Sequence, residues 1–162
     1  MSFGFGVGDF LTVSKLALQV YSAYKGAPAD LRNISDEIKS LHNVVNIAQS
    51  QFGGSNPNPE DEKKLKEVLQ GCHNVLKDLD QLLVKYRAMA SNTSQNGLAV
   101  RRTVDRVKWG QENMIELRAR LISNTTLLNT FISRYVRDVF PIAQFLSQFG
   151  NETMNILAYT GS

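Results

Sequence analysis

From Phe10 onward the chain is mostly apolar, and Thr12, Lys15, Gln19 and Ser22 recur every three or four residues. This spacing gathers the polar groups into one stripe on a helix spanning 1–26, with Gly26 as its stop. Pro28 suits the first turn of a second helix, 28–52. Its inward face reads Leu31, Ile34, Ile38, Leu41, Val45, Ala48 and Phe52. The Gly, Ser, Asn and Pro of residues 53–58 form a loop by composition. Asn58, Pro59 and the acids Glu60, Asp61 and Glu62 then start a third helix, 59–90, because a cap, a proline and negative charge all suit a helix N-terminus. That helix turns Leu65, Leu69, Cys72, Val75, Leu76, Leu79, Leu82, Leu83 and Tyr86 inward. After a second polar loop, 98–140 keeps an apolar period near 3.5 through Leu117, Leu121 and Leu128, a pattern that demands partner helices. Pro141 opens a last helix, 141–158. No run alternates like a strand, so the pattern predicts an all-α fold: a bundle of about five helices with long antiparallel elements, in a single domain over 1–162.

A length of 162 residues allows one sizeable core, and 43% hydrophobic against 20% charged residues is a globular balance. The net charge of +3 is too weak to imply nucleic acid, but its distribution is uneven. Ten basic and ten acidic residues cancel over 1–90, and two of each cancel over 121–162, so the surplus lies in 91–120. There Arg101, Arg102, Arg106, Lys108, Arg118 and Arg120 face only Asp105, Glu112 and Glu116. A single cysteine, Cys72, excludes an internal disulfide and fits a reducing, cytoplasmic setting. Asp9 and Lys15 interrupt what would otherwise be a secretory leader, Ser2 excludes myristoylation, and no stretch holds about 18 uninterrupted apolar residues.

Enzyme chemistry finds little support. Gly4, Gly6 and Gly8 follow no strand and lack the acidic ribose partner of a dinucleotide site, and no Walker lysine motif occurs. Cys72, His73 and His42 do not have zinc spacing, so neither a metal nor a cofactor is expected. Cys72 lies on a core face, and no nucleophile, base and acid can be recognised by spacing. The basic group Arg101, Arg102, Arg106 and Lys108 reads either as a solvated helix face or as a patch for anionic lipid or a partner, each cation near a lipid surface contributing about 1 kcal/mol. Only Trp109 lies nearby as a stacking aromatic, which disfavours nucleic acid.

The N-terminal segment offers the sharper constellation. Phe3 to Tyr24 would be about 33 Å long as a helix, enough to cross a hydrocarbon core of ~30 Å. Asp9 and Lys15 would each cost about 2.5–3.5 kcal/mol near its centre, which keeps a lone copy in the bundle. In an oligomer the stripe of Asp9, Thr12, Lys15, Gln19 and Ser22 could instead face a wet lumen. A permanent core helix has the same amphipathic spacing.

The opening Ser2-Phe3-Gly4-Phe5-Gly6-Val7-Gly8-Asp9-Phe10, with Leu16-Ala17 and Val20-Tyr21, resembles the start of the fungal N-terminal domain of NLR-like STAND proteins, a group related to HeLo-like helical bundles. Leu31 to Leu41, the leucine ladder from Cys72 to Tyr86, Lys108-Trp109 and Leu117 to Leu121 extend the similarity over roughly 2–140. The resemblance implies a non-enzymatic signalling module at the front of a multidomain immune or incompatibility receptor, followed by a nucleotide-binding module and ligand-sensing repeats. It implies programmed cell death through self-association and membrane targeting or perforation by the first helix. By that analogy Phe3, Phe5, Phe10, Leu11, Val13, Leu16, Leu18 and Val20 form the lipid-facing part. The expected partners are further copies of the chain, anionic lipids and a downstream nucleotide-binding module, in a cytoplasmic protein that joins membranes conditionally. The nucleotide-binding module is not in these residues, so the chain is expected to be an excised domain or a short stand-alone member. The alternative function is a non-lytic homotypic or heterotypic interaction scaffold.

Overall fold

The structure, a computed structural model, describes residues 7–27, 29–52, 57–91 and 113–138. Among these residues regular structure is helical throughout and no strand occurs, so the fold is all-α. The helices are α1 (Val7–Lys25), α2 (Ala29–Arg32), α3 (Ser35–Phe52) and α4 (Pro59–Ser91), followed by a helical stretch over 113–138. The expected helix 141–158, the first part of 98–140, and Phe3, Phe5, Arg101, Arg102, Arg106 and Lys108 lie outside the described residues. The chain divides into two compact units, Met1–Asn129 and Thr130–Ser162, with residues 113–129 in the first and 130–138 in the second.

The apolar period of 28–52 predicts one continuous helix, whereas the chain turns at Asn33 and Ile34. The Ile34 carbonyl accepts the Ile38 N–H at 3.1 Å and starts α3 afresh. Asp36 and Glu37 then occupy the first turn, where negative charge meets the positive end of the helix dipole. Leu31, Ile34 and Ile38 all stay buried across the turn, which is why the break leaves no mark on the hydrophobic pattern.

α4 carries its own start signal. The Asp61 N–H donates to Asn58 Oδ1 at 2.9 Å, Asn58 Nδ2 donates to Asp61 Oδ2 at 2.7 Å, and the Glu62 N–H reaches the Asn58 carbonyl at 2.9 Å. These bonds satisfy amides that a helix start otherwise leaves open. The inward positions from Leu65 to Tyr86 are buried without exception.

α1 packs on both α3 and α4. Phe10 stacks on Phe52 with ring centroids 6.3 Å apart, while Ser14 meets His42 and Asn46, so α1 and α3 run antiparallel. Against α4 the order is parallel, with Asp9 and Thr12 beside Lys66 and Gln70 and, further along, Ala23 beside Arg87. Residues 113–129 contact α3 and α4 as well. Arg118 pairs with Glu37 of α3, and Arg120 pairs with Asp78 of α4 at 2.8 Å.

Candidate functional site

The site is α1 with the flanks of α3 and α4 that hold it. Phe10, Val13, Ala17, Val20 and Tyr24 are buried, at the three- and four-residue spacing of one helix face. Each of Phe10, Val13 and Val20 contributes about 1.5–3 kcal/mol by leaving water, so α1 is firmly packed in the bundle. The stripe of Asp9, Thr12, Lys15, Gln19 and Ser22 is exposed along the whole helix. Leu11 and Leu18 are exposed too, at 41% and 50%, and Leu16 is half-buried. The expected lipid-facing set therefore splits: Phe10, Val13 and Val20 face the core, whereas Leu11 and Leu18 face solvent beside the stripe.

Polar bonds fasten α1 at its middle and its end. Thr12 and Ser22 donate back to the carbonyls of Gly8 and Leu18 on their own helix. Ser14 behaves differently. It is buried at 8% exposure, and its hydroxyl donates across to Asn46 Oδ1 at 2.8 Å. His42 Nδ1 lies 3.1 Å from the Ser14 carbonyl oxygen, which can only accept, so Nδ1 carries the hydrogen and donates. Its Nε2 then accepts from Asn46 Nδ2 at 3.1 Å, closing a ring between α1 and α3. Near the end of α1 the Tyr24 hydroxyl donates to the Leu79 carbonyl of α4 at 2.8 Å, and Arg87 donates to the Ala23 carbonyl at 3.4 Å. Burial, with a smaller contribution from the Asp80 carboxylate, raises the Tyr24 phenol above its ordinary range and keeps the proton available for that bond.

Among the described residues the cysteine and the histidines do not converge on one site. Burial pushes the Cys72 thiol up to about 12, so the thiolate that a nucleophile needs is absent at neutral pH. His73 lines a surface groove of about 170 Å³ with Asp9, Thr12, Val13, Lys66 and Gln70, and its Nδ1 is buried without a hydrogen-bond partner among the described residues. Among the described residues no three His, Cys, Asp or Glu side chains gather as a metal cluster.

Charge is distributed unevenly around the helices. Arg118 and Arg120, counted in the basic surplus, are consumed by Glu37 and Asp78. Lys15 and Lys25 of α1 and Lys66 and Lys77 of α4 are exposed and have no ion-pair partner among the described residues. Among the described residues no helix is long and apolar enough to cross a membrane. α1 itself is about 28 Å long at 1.5 Å per residue.

An all-α bundle with a packed first helix agrees with the sequence match over residues 9–128, which is to the family described as SesA, the N-terminal domain on NACHT NTPases and P-loop NTPases. The chain belongs to the SesA family. No curated protein and no solved structure matches it. The SesA match begins at Asp9 in the first turn of α1 and ends at Leu128, so it takes in most of α1, all of α2, α3 and α4, and residues 113–128 of the helical stretch that follows. The family places such a domain ahead of a nucleotide-driven module, which agrees with the NLR-like resemblance of the sequence. Sequence reasoning missed the ring of Ser14, His42 and Asn46 in this SesA domain, because its members are 28 and 32 residues apart. The available signal was a serine at an inward position of an otherwise apolar face.

Proposed function

We propose that this SesA domain is a non-enzymatic signalling module of an NLR-like receptor, silent while α1 is docked and active when the module self-associates and presents α1 to a membrane. In the fungal, HeLo-like version of this reading the outcome is programmed cell death by membrane targeting or perforation, in a cytoplasmic protein that joins the membrane only on activation. The observation that carries it is the construction of α1. One apolar face sits in the core, a continuous polar stripe faces out, and Leu11 and Leu18 stand beside that stripe. Release exposes Phe10, Val13 and Val20 together with these leucines, while the stripe remains available to line a wet interior in an oligomer. Lys15, Lys25, Lys66 and Lys77, without an ion-pair partner among the described residues, add attraction to anionic headgroups of about 1 kcal/mol each near the surface. Arg101, Arg102, Arg106 and Lys108 would extend this attraction, and charge reversal there should weaken lipid binding while leaving self-association intact.

Leakage of anionic vesicles by the assembled protein tests the reading. Leu11→Glu and Leu18→Glu change residues that are exposed in the docked state, so both variants should fold normally, yet leakage should fall at least tenfold. Equal leakage from all three proteins, or none from the wild type, overturns membrane engagement.

The second reading is a non-lytic interaction scaffold. It is favoured by Ile115, Ile122 and Leu127, large apolar side chains exposed on the helical stretch of 113–129, since exposed apolar groups on one element suit association with another helix. This reading expects a concentration-dependent oligomer and no dependence on anionic lipid.

A further inference from the structure

We infer that the ring of Ser14, His42 and Asn46 is a latch on α1, a polar junction that fixes the docked register and lets the helix leave without stranding a buried polar group. This inference rests on the reading of α1 as a releasable helix and names the contact that regulates it.

Ser14 and Ser35 are the buried polar side chains among the described residues, and Ser14 stands on the face that also buries Phe10, Val13 and Ala17. Alanine at position 14 would keep the helix and suit that face, and the serine there directs its hydroxyl across to Asn46 Oδ1 rather than back along its own helix. The two bonds that cross from α1 to α3, Ser14 to Asn46 and His42 to the Ser14 carbonyl, depend on one alignment of the helices, and the Asn46–His42 bond within α3 holds their two partners in place. A slide of α1 by one helical turn, about 5.4 Å, would separate both crossing pairs at once. Apolar contacts alone are far less selective among neighbouring registers, so the ring supplies the specificity.

The same geometry makes opening inexpensive. Thr12 and Ser22 on α1 show what a hydroxyl on this helix does without a neighbour, which is to donate to the carbonyl four residues back. Ser14 has the equivalent acceptor in the Phe10 carbonyl, so its hydroxyl is satisfied in both states. The Ser14 carbonyl is a helix carbonyl that already serves the helix ladder, and it loses only an additional donor. His42 is half-buried and Asn46 is exposed, so water replaces their lost partners as soon as α1 moves. A wholly apolar junction would offer no such exchange. The closed ring holds while α1 is seated, and each member has an alternative partner once it is not.

Amide hydrogen exchange of the 162-residue chain, resolved by segment, tests the latch without any membrane. Ser14→Ala and Asn46→Ala should each accelerate exchange across residues 11–22 about fivefold to tenfold, with α4 amides unchanged. Because the two residues belong to one ring, the double variant should be no faster than the faster single variant. Ser50→Ala removes a hydroxyl that bonds within α3 to the Ile47 carbonyl and should leave α1 unchanged. Unchanged exchange of α1 in both single variants overturns the latch, as does equal acceleration of α1 and α4. Strictly additive effects in the double variant overturn the ring as one unit. Vesicle leakage is read on the same proteins. Faster α1 exchange without leakage supports the latch and overturns the membrane reading, whereas leakage that rises with exchange supports both.

Discussion

α1 and α4 are both amphipathic helices, yet they hold their places by different means. α4 is self-sufficient: Asn58 and Asp61 cap it, Pro59 and three acids shape its first turn, and an unbroken ladder from Leu65 to Tyr86 is buried. α1 is shorter, and the bonds that fasten it are shared with neighbours, namely His42 and Asn46 from α3 and Leu79 and Arg87 from α4. α4 thus carries its own start signal, whereas α1 is held by α3 and α4, both of which pack on it.

The largest effects should come from cavities in the two helices. Leu76→Ala in α4 should lower the unfolding free energy by about 2–5 kcal/mol, and Phe10→Ala in α1 by about 3–5 kcal/mol. The comparison predicts different spatial patterns of loss. Urea titrations followed by segmental hydrogen exchange should show Leu76→Ala loosening every helix together, while Phe10→Ala loosens α1 ahead of α4. Simultaneous loss in both variants would show that α1 is as integral as α4.

Alkaline pH probes the seam between them. Tyr24 of α1 and Cys72 of α4 both hold their protons more tightly in the fold than in the unfolded chain, where the ordinary values are 10.0 and 9.0. A pKa raised by folding gives stability that is complete below the unfolded value and is lost as pH climbs above it. Unfolding free energy should therefore fall above about pH 9, by up to about 1.4 kcal/mol per pH unit for each group. Comparison of thermal midpoints from pH 8 to 11 with those of the Tyr24→Phe, Cys72→Val double variant should show most of this slope removed. An unchanged slope would place its origin elsewhere.

A smaller effect tests the self-sufficiency of α4. Asn58→Ala removes the cap and should lower stability by about 0.5–2 kcal/mol in urea unfolding. Fraying should be confined to the first turns around Glu60 to Glu62. If the loss reached α1, the two helices would be coupled through the start of α4.

The inner faces of α3 and α4 were legible in the sequence because a continuous period of three and four leaves few alternatives for a buried stripe. The cap at Asn58 was legible because its chemistry is local. The turn at Asn33 and Ile34 was not, since Leu31, Ile34 and Ile38 remain buried on either side of it and neither glycine nor proline marks it. For α1 the pattern separated polar from apolar positions, but it could not separate Phe10, Val13 and Val20, which are buried, from Leu11 and Leu18, which are exposed. That distinction depends on where α3 and α4 sit. Charge behaved similarly, with Arg118 and Arg120 appearing as surplus until Glu37 and Asp78, far away in sequence, were placed beside them.

The finest test concerns the far side of α4, where it meets residues 113–129. A Cβ added to Gly71 would lie 2.6 Å from Asn124 Oδ1 and 3.3 Å from its Cγ, so the glycine makes room for that side chain. Gly71→Ala has two opposed consequences: α4 gains about 1 kcal/mol of helix propensity, and Asn124 must rotate away. Because the obstacle is the end of a side chain rather than backbone, the two should nearly cancel, leaving a change within about 1 kcal/mol. In an Asn124→Ala background the obstacle is gone and the same substitution should stabilise by about 1 kcal/mol, an interaction that a double-mutant cycle in urea reads directly. Destabilisation in both backgrounds would show that the close approach is backbone to backbone. It would also show that α4 depends on a neighbour at this point, as α1 does along its length.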